Sequence, residues 1–215
     1  MVFKLEEDSL LFPPPELADE DGLLAIGGDL SEARLKLAYS LGIFPWYSEE
    51  TPILWYSPHE RFVIYPGNIK IAKSMRKVLN SNTFKVTENQ AFEEVIKNCA
   101  AAKRTDQNGT WIIPEMQQAY INLHKKGFAH SVEVWLDDEL AGGLYGVESG
   151  SVFCGESMFS KVSNASKLAL IWLCRNKDYS LIDCQFHTEH LESMGAEFIS
   201  REEYMKHLNS NLKAP

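Results

Sequence analysis

Two periods of apolar and polar residues run through this chain. Between Ala129 and Phe159 the segments AHSVEVWL, DDE, LAGGLYGVE, SGS and VFCGESMF alternate strand-like runs with turn residues, which predicts three antiparallel strands joined by tight turns. Before them, from about residue 61, RFVIY and FKVTE read as strands, and NIKIAKSMRKVLNS, AFEEVIKNCAAA and PEMQQAYINLHKK read as helices. The first of these helices puts Ile71, Met75, Val78 and Leu79 on one face. The third has Pro114 at its first position and Gly127 as its stop. KRTDQNGT is a polar loop. After the three strands come a helix, SNASKLALIWLCRNK, capped by Ser163 or Asn164, a buried strand, SLIDCQF, and a short helix, EHLESMG. A strand, EFIS, and a final helix, EEYMKHLNSN, complete the series.

Residues 1–60 follow another pattern, dense in Pro, Gly and aromatic residues. GLLAIGGDL reads as a turn leading to a helix, SEARLKLAYSL, with Asp29 or Ser31 as N-cap and Gly42 as stop. In GIFPWYSEETPILWYSP the prolines forbid a regular helix, so two short strands or a wrapped loop anchored by Trp46 and Trp55 are expected. The predicted organisation is a small N-terminal domain, 1–60, followed by a mixed-sheet α+β or α/β domain, 61–215.

Composition narrows the class without choosing the chemistry. With 215 residues, 45% of them hydrophobic, the chain is long enough for a substantial core. Its longest apolar run, LALIWLC, is too short to span a bilayer, and the start, MVFKLEEDSL, lacks a secretory pattern. A cytoplasmic protein is expected, with Cys99, Cys154, Cys174 and Cys184 as reduced thiols. The net charge of −9 argues against general nucleic-acid binding. A local basic face is still predicted where Lys70, Lys73 and Lys77 recur at helical spacing with Arg76 beside them, and Lys85 and the Lys103–Arg104 pair are candidates to add to it.

Several short patterns carry possible chemistry. Glu156 stands in VFCGESMFS among aromatic, thiol and thioether groups, either at a bend facing water or in a site. The flanking residues do not form Gly-x-Ser-x-Gly, so Ser157 is not placed as a nucleophile, and no histidine is placed as a base for Cys154. Cys184, His187 and His190 have a suggestive spacing but lack a fourth ligand, so no metal is expected. In LIDCQF, Asp183 and Gln185 project to one strand face. A buried acid and amide must bond each other or face a cleft.

Taken in order, FPPPELADEDGLLAIGGDL, GIFPWYS, ILWYSP, GTWI, HSVEVW, LAGGLYGV, FCGESMFS, NASK and LIDCQ resemble the leucyl/phenylalanyl-tRNA–protein transferases from about Phe12 to the final helix. The chain departs from the commonest pattern at Tyr56, at His59–Glu60 and in its short tail. The resemblance implies an acetyltransferase-like (GNAT-like) second domain. It also implies transfer of Leu, Phe or less readily Met from aminoacyl-tRNA to the α-amine of an N-terminal Lys or Arg, creating an N-degron for proteolysis. It places the aminoacyl pocket and catalytic hydrogen bonds on Trp46, Trp111, Phe153, Gly155, Glu156, Met158, Asp183 and Gln185.

The reaction so implied is aminolysis of an activated ester, which needs two positioned substrates and no cofactor. Gln185 is expected to hold the attacking amine while Asp183 orients the amide; Asp183, through water, or the leaving ribose hydroxyl is the expected final proton acceptor. Glu156 is expected to hold the aminoacyl ammonium, or else the cationic acceptor. Phe153, Met158 and the tryptophans would form the apolar pocket, and Lys70, Lys73, Arg76 and Lys77 would meet the tRNA backbone. The rival is a coenzyme-A-dependent N-acetyltransferase. It needs a glycine-rich loop opening the helix after the central strands, and the chain has SKVSNASK there; HKKGFA lies at a helix end.

Overall fold

Ser31 opens the first helix, its hydroxyl accepting the Arg34 N–H at 3.3 Å, and Gly42 closes it at φ +69°. The structure is a computed structural model that describes residues 2–102 and 110–209. The N-terminal sheet holds β1 (Phe3–Leu5), β2 (Leu23–Gly27), β3 (Phe44–Pro45) and β4 (Leu54–Tyr56) in the order β1-β2-β4-β3, with α1 (Glu32–Ser40) between β2 and β3. GLLAIGGDL is therefore a strand before it is a turn. Leu24 and Ala25 are fully buried in it, and positive φ is taken by Gly22 before it and by Gly27 and Gly28 at its end.

The second sheet contains β5 (Glu60–Ile64), β6 (Lys85–Glu88), β7 (Ala129–Leu136), β8 (Glu139–Ser149), β9 (Val152–Ser160), β10 (Leu181–Gln185) and β11 (Glu197–Ser200). Their order is β11-β5-β10-β9-β8-β7-β6. Its helices are α2 (Lys73–Asn80), α3 (Phe92–Ala101), α4 (Pro114–Lys125), α5 (Ala165–Asn176), α6 (Glu189–Ser193) and α7 (Arg201–Leu208). This is the expected mixed α+β arrangement behind a small N-terminal sheet. Asp137 and Asp138, both at positive φ, make the two-residue turn between β7 and β8. At Gly146 on β8 a Cβ would fall 2.3 Å from the Cys154 carbonyl and 2.6 Å from the Phe153 ring, so only glycine lets that ring lie across the strand.

Alternation distributes the core over both faces of the second sheet. Phe62, Ile64, Phe153 and Ile182 join α5 in one cluster, whereas Val63, Val152, Cys154 and Leu181 join α3, α4 and the N-terminal sheet in the other. The second cluster runs without a break from Trp55 and Leu24 to Val95 and Tyr120.

Two local expectations need correction. Lys70 is not on a helix: Pro66–Asn68 form a single tight turn, the Lys70 N–H donates to the Met194 carbonyl at 2.8 Å, and α2 begins only at Lys73. Asn164 precedes α5 at φ +72°, and its side chain makes no capping bond. Lys103 and Arg104 lie outside the described residues.

Candidate active site

Among the described residues β9 and β10 are the one parallel pair of the second sheet, and they stay together only briefly. Leu181, Ile182 and Asp183 pair with Val152, Phe153 and Cys154; β10 then ends at Gln185 while β9 continues to Ser160. Each strand also carries a bulge at this place. Tyr145 faces Ser157 and Gly146 faces Gly155, so Glu156 is the extra residue of β9. Asp183 faces Val63 and Gln185 faces Phe62, so Cys184 is the extra residue of β10. A bulge re-aims a side chain and loosens pairing beside it. Gly155 permits the close approach at the fork, since a Cβ there would sit 3.2 Å from the Asp183 carbonyl.

A cavity of about 280 Å³ fills the fork. Leu144, Phe153, Met158, Leu170, Leu173, Ile182 and Leu191 give it apolar walls, with Tyr145, Glu156, Ser157, Asp183, Thr188 and His190 as polar residues among them. Glu156 is buried and its carboxylate is well supplied with donors. Tyr39 of α1 donates to Oε1 at 2.7 Å, Tyr120 of α4 to Oε2 at 3.1 Å, and Gln185 Nε2 to Oε1 at 3.0 Å. Burial outweighs those bonds and pushes the carboxyl up to about 7. Burial likewise holds the two phenols well above their ordinary range, so both keep their hydrogens.

Asp183 lies deeper, with no exposed side-chain surface. It forms an ion pair with Arg61 of β5, and its Oδ1 accepts the backbone N–H of Gln185 at 2.9 Å. Arg61 in turn donates to the Gly42 carbonyl at 3.0 Å and lies over the rings of Phe44 and Tyr204. Gln185 has φ +62°, a conformation rare for a side chain of its size, and the Asp183 bond pins it there. Asp183 therefore fixes the backbone of Gln185, and it is Glu156 that takes the amide. The expected pairing of the acid with the amide side chain is corrected: the bulge turns the two side chains to different partners. Asp183 still lines the cavity, its carboxylate held between Arg61 and the Gln185 N–H.

Of the other expected site residues, Phe153, Gly155, Glu156 and Met158 share the cavity wall. Trp46 and Trp111 do not line it. Trp46 packs on Tyr56 and on Phe186, 5.0 Å between centroids in the latter pair, and Trp111 packs partly buried against the core that includes α4. Lys73, Arg76 and Lys77 are exposed on α2. Burial raises the thiols of Cys154 and Cys184, which suits neither to nucleophilic attack. Among the described residues no three His, Cys, Asp or Glu side chains are grouped to hold a metal ion, and no helix is long and apolar enough to cross a membrane. Sequence reading missed Arg61, Tyr39 and Tyr120 as site residues. A charged residue opening RFVIY, opposite the lone acid of another apolar strand, was the available signal for Arg61.

Residues 63–209 match the model of the leucyl/phenylalanyl-tRNA protein transferase family, and residues 28–59 match that of its N-terminal domain. The chain belongs to this family. The transferase is 58% identical over 204 residues to the leucyl/phenylalanyl-tRNA–protein transferase of Flavobacterium johnsoniae, covering 94% of this chain and 96% of that one. It is 53% identical over 214 residues to the protein of the same name from Syntrophobacter fumaroxidans, covering 98% and 91%. Among solved structures, a GCN5-related N-acetyltransferase from Kribbella flavida superposes with TM-score 0.41 at 10% identity, over 74% of this chain and 57% of that one. The transferase is an aminoacyltransferase that passes aminoacyl groups from tRNA to protein.

Proposed function

We propose that the fork between β9 and β10 is the aminoacyl pocket. In this reading the enzyme transfers Leu or Phe, and Met less readily, from aminoacyl-tRNA to the α-amine of an N-terminal Lys or Arg. The product is an N-degron for proteolysis. The observation that carries the reading is an apolar cavity of about 280 Å³ with a buried carboxyl group in its wall. An apolar cavity of roughly 150 Å³ holds benzene, so this one has room for an isobutyl or benzyl group. Its walls discriminate weakly between hydrophobes of similar size, and the flexible Met158 side chain adapts to both shapes.

Glu156, steadied by Gln185, faces the amine of the bound aminoacyl group and orients its ester. The acceptor amine attacks the ester carbonyl, the C–N bond forms, and the bond to the ribose oxygen breaks. The proton lost by the amine is matched by the one that ribose oxygen gains. Asp183 and Arg61 act one layer behind, holding the Gln185 backbone. Lys73, Arg76 and Lys77 contact tRNA phosphates, and residues 1–60 and 61–215 serve as the two domains of the enzyme.

The test supplies labelled Leu-tRNA, Phe-tRNA, Met-tRNA or acetyl-coenzyme A with peptides beginning Arg, Lys, Ala or Asp. Leucyl and phenylalanyl label is expected on the Arg and Lys peptides, with slower transfer from Met-tRNA. Label on all four peptides overturns the acceptor assignment. Transfer of the acetyl label alone overturns the donor assignment.

A further inference from the structure

Three oxygen-bearing groups meet in the buried corner between α1, α4 and β9. Tyr39 contacts Glu156 Oε1, Tyr120 contacts Glu156 Oε2, and the two phenols contact each other, so every side of the triangle is a hydrogen-bond contact. A phenol has one hydrogen to donate and an ionised carboxylate has none. With Glu156 ionised, two hydrogens must serve three sides, and one side is left with two oxygens facing each other. With Glu156 protonated, three hydrogens serve three sides and run in one direction: Glu156 Oε2–H to Tyr120, Tyr120 to Tyr39, Tyr39 to Glu156 Oε1. Oε1 is then an acceptor only. That suits Gln185 Nε2, which donates to the same oxygen at 3.0 Å.

We propose that Tyr39 and Tyr120 hold Glu156 as a carboxylic acid in the free enzyme, and that Glu156 ionises when a substrate ammonium docks against it. One proton passes to solvent as the ammonium–carboxylate pair forms. The second half rests on the reading above, that Glu156 faces the aminoacyl amine; the first half does not. Tyr39 and Tyr120 are positioning residues in this scheme, giving the pocket its charge only when there is a cation to receive. Burial of the carboxyl and the nearby Asp183 charge also favour the acid, against the hydrogen bonds from Tyr39, Tyr120 and Gln185 that an ionised Glu156 would accept.

The other titratable and charged groups facing the corner are Tyr145 on β8, Cys154 on β9, and Asp183 with its Arg61 counter-charge. Tyr204 stands behind Cys154, and Cys184 and His190 lie in the same cavity wall. Burial keeps Cys154, Cys184 and Tyr204 in their neutral forms, leaving His190, lowered from its ordinary value, as the rival neutral-range titration.

A signal assigned to Glu156 itself separates the two. Full-length enzyme labelled with ¹³C at glutamate Cδ is titrated by NMR, the Glu156 resonance being assigned by its loss in Glu156→Gln. The expected resonance titrates in the neutral range. Its midpoint moves down in both Tyr39→Phe and Tyr120→Phe, each of which breaks the ring that only the acid form completes; a midpoint that moves up shows the phenols serving the ionised form and overturns the ring. A resonance that stays ionised throughout that range overturns the ring.

Calorimetry then follows binding of the phenylalanine amide of 3′-amino-3′-deoxyadenosine, in buffers of different protonation enthalpy, on the acid side of the midpoint. The expected release is about one proton per ligand, abolished in Glu156→Gln. A neutral-range titration without proton release overturns the coupling and the assignment of Glu156 to the amine. An ionised Glu156 with intact ligand binding overturns the ring alone and leaves the pocket reading standing.

Discussion

Asp183→Asn distinguishes a proton acceptor from a buried counter-charge. The substitution keeps the shape of the side chain and retains an oxygen for the Gln185 N–H, now 2.9 Å from Asp183 Oδ1. It removes the negative charge facing Arg61, whose side chain is 3% exposed and lies between the Phe44 and Tyr204 rings. The guanidinium keeps the Gly42 carbonyl at 3.0 Å but loses its neutralising partner. Stranding one member of a buried ion pair costs about 3–5 kcal/mol. For a chain of this size that lowers the melting temperature by about 10 °C. Urea unfolding of wild type, Asp183→Asn, and Arg61→Met with Asp183→Leu measures the effect. The double variant should recover only part of the loss, because it removes the stranded charge but leaves the Gln185 N–H and the Gly42 carbonyl without these partners. A loss below about 1 kcal/mol in Asp183→Asn, with turnover nonetheless abolished, would refute the positioning role and restore Asp183 to the chemistry.

Two further outcomes follow from the charges. Glu156 ionises near 4.5 in an unfolded chain and at about 7 in the fold. The unfolded chain therefore binds fewer protons between those values, and this group's contribution, intact below the lower one, falls by about 3 kcal/mol as pH rises to the upper. The stability of Glu156→Gln relative to wild type should climb across that window in denaturant titrations; a flat difference contradicts the raised carboxyl. Lys73 and Lys77 stand one turn apart and exposed on α2. Reversing both to Glu should weaken different tRNAs alike and flatten the dependence of binding on salt, and an unchanged slope would remove α2 from the tRNA surface.

Much of the second sheet was legible because its strands obey one period. The alternation in AHSVEVWL, LAGGLYGVE and VFCGESMF, punctuated by DDE and SGS, matches β7, β8 and β9 closely. The site was less legible because it lies where that period breaks. The bulges at Glu156 and Cys184 shift later side chains by one face, and nothing local in GES or DCQ announces them. Tyr39 and Tyr120 looked like core residues on helix faces, which they are; their hydroxyls acquire meaning only through a carboxylate far along the chain. Lys70 was misplaced for another reason. Its helical spacing was real, but the contact with Met194 that holds it outside α2 comes from a distant segment.

The Arg61 bond to the Gly42 carbonyl ties the two parts of the chain together at the pocket. The strands divide near residue 60, yet the guanidinium that balances Asp183 takes a backbone acceptor and an aromatic ring from the N-terminal side, and Glu156 takes a phenol from there too. A fragment starting at Glu60 would keep every strand of the larger sheet while exposing a half-solvated cation and an under-donated acid at its centre. The seam between the two parts runs through the electrostatics of the pocket, so either half moved to another scaffold would leave those partners behind.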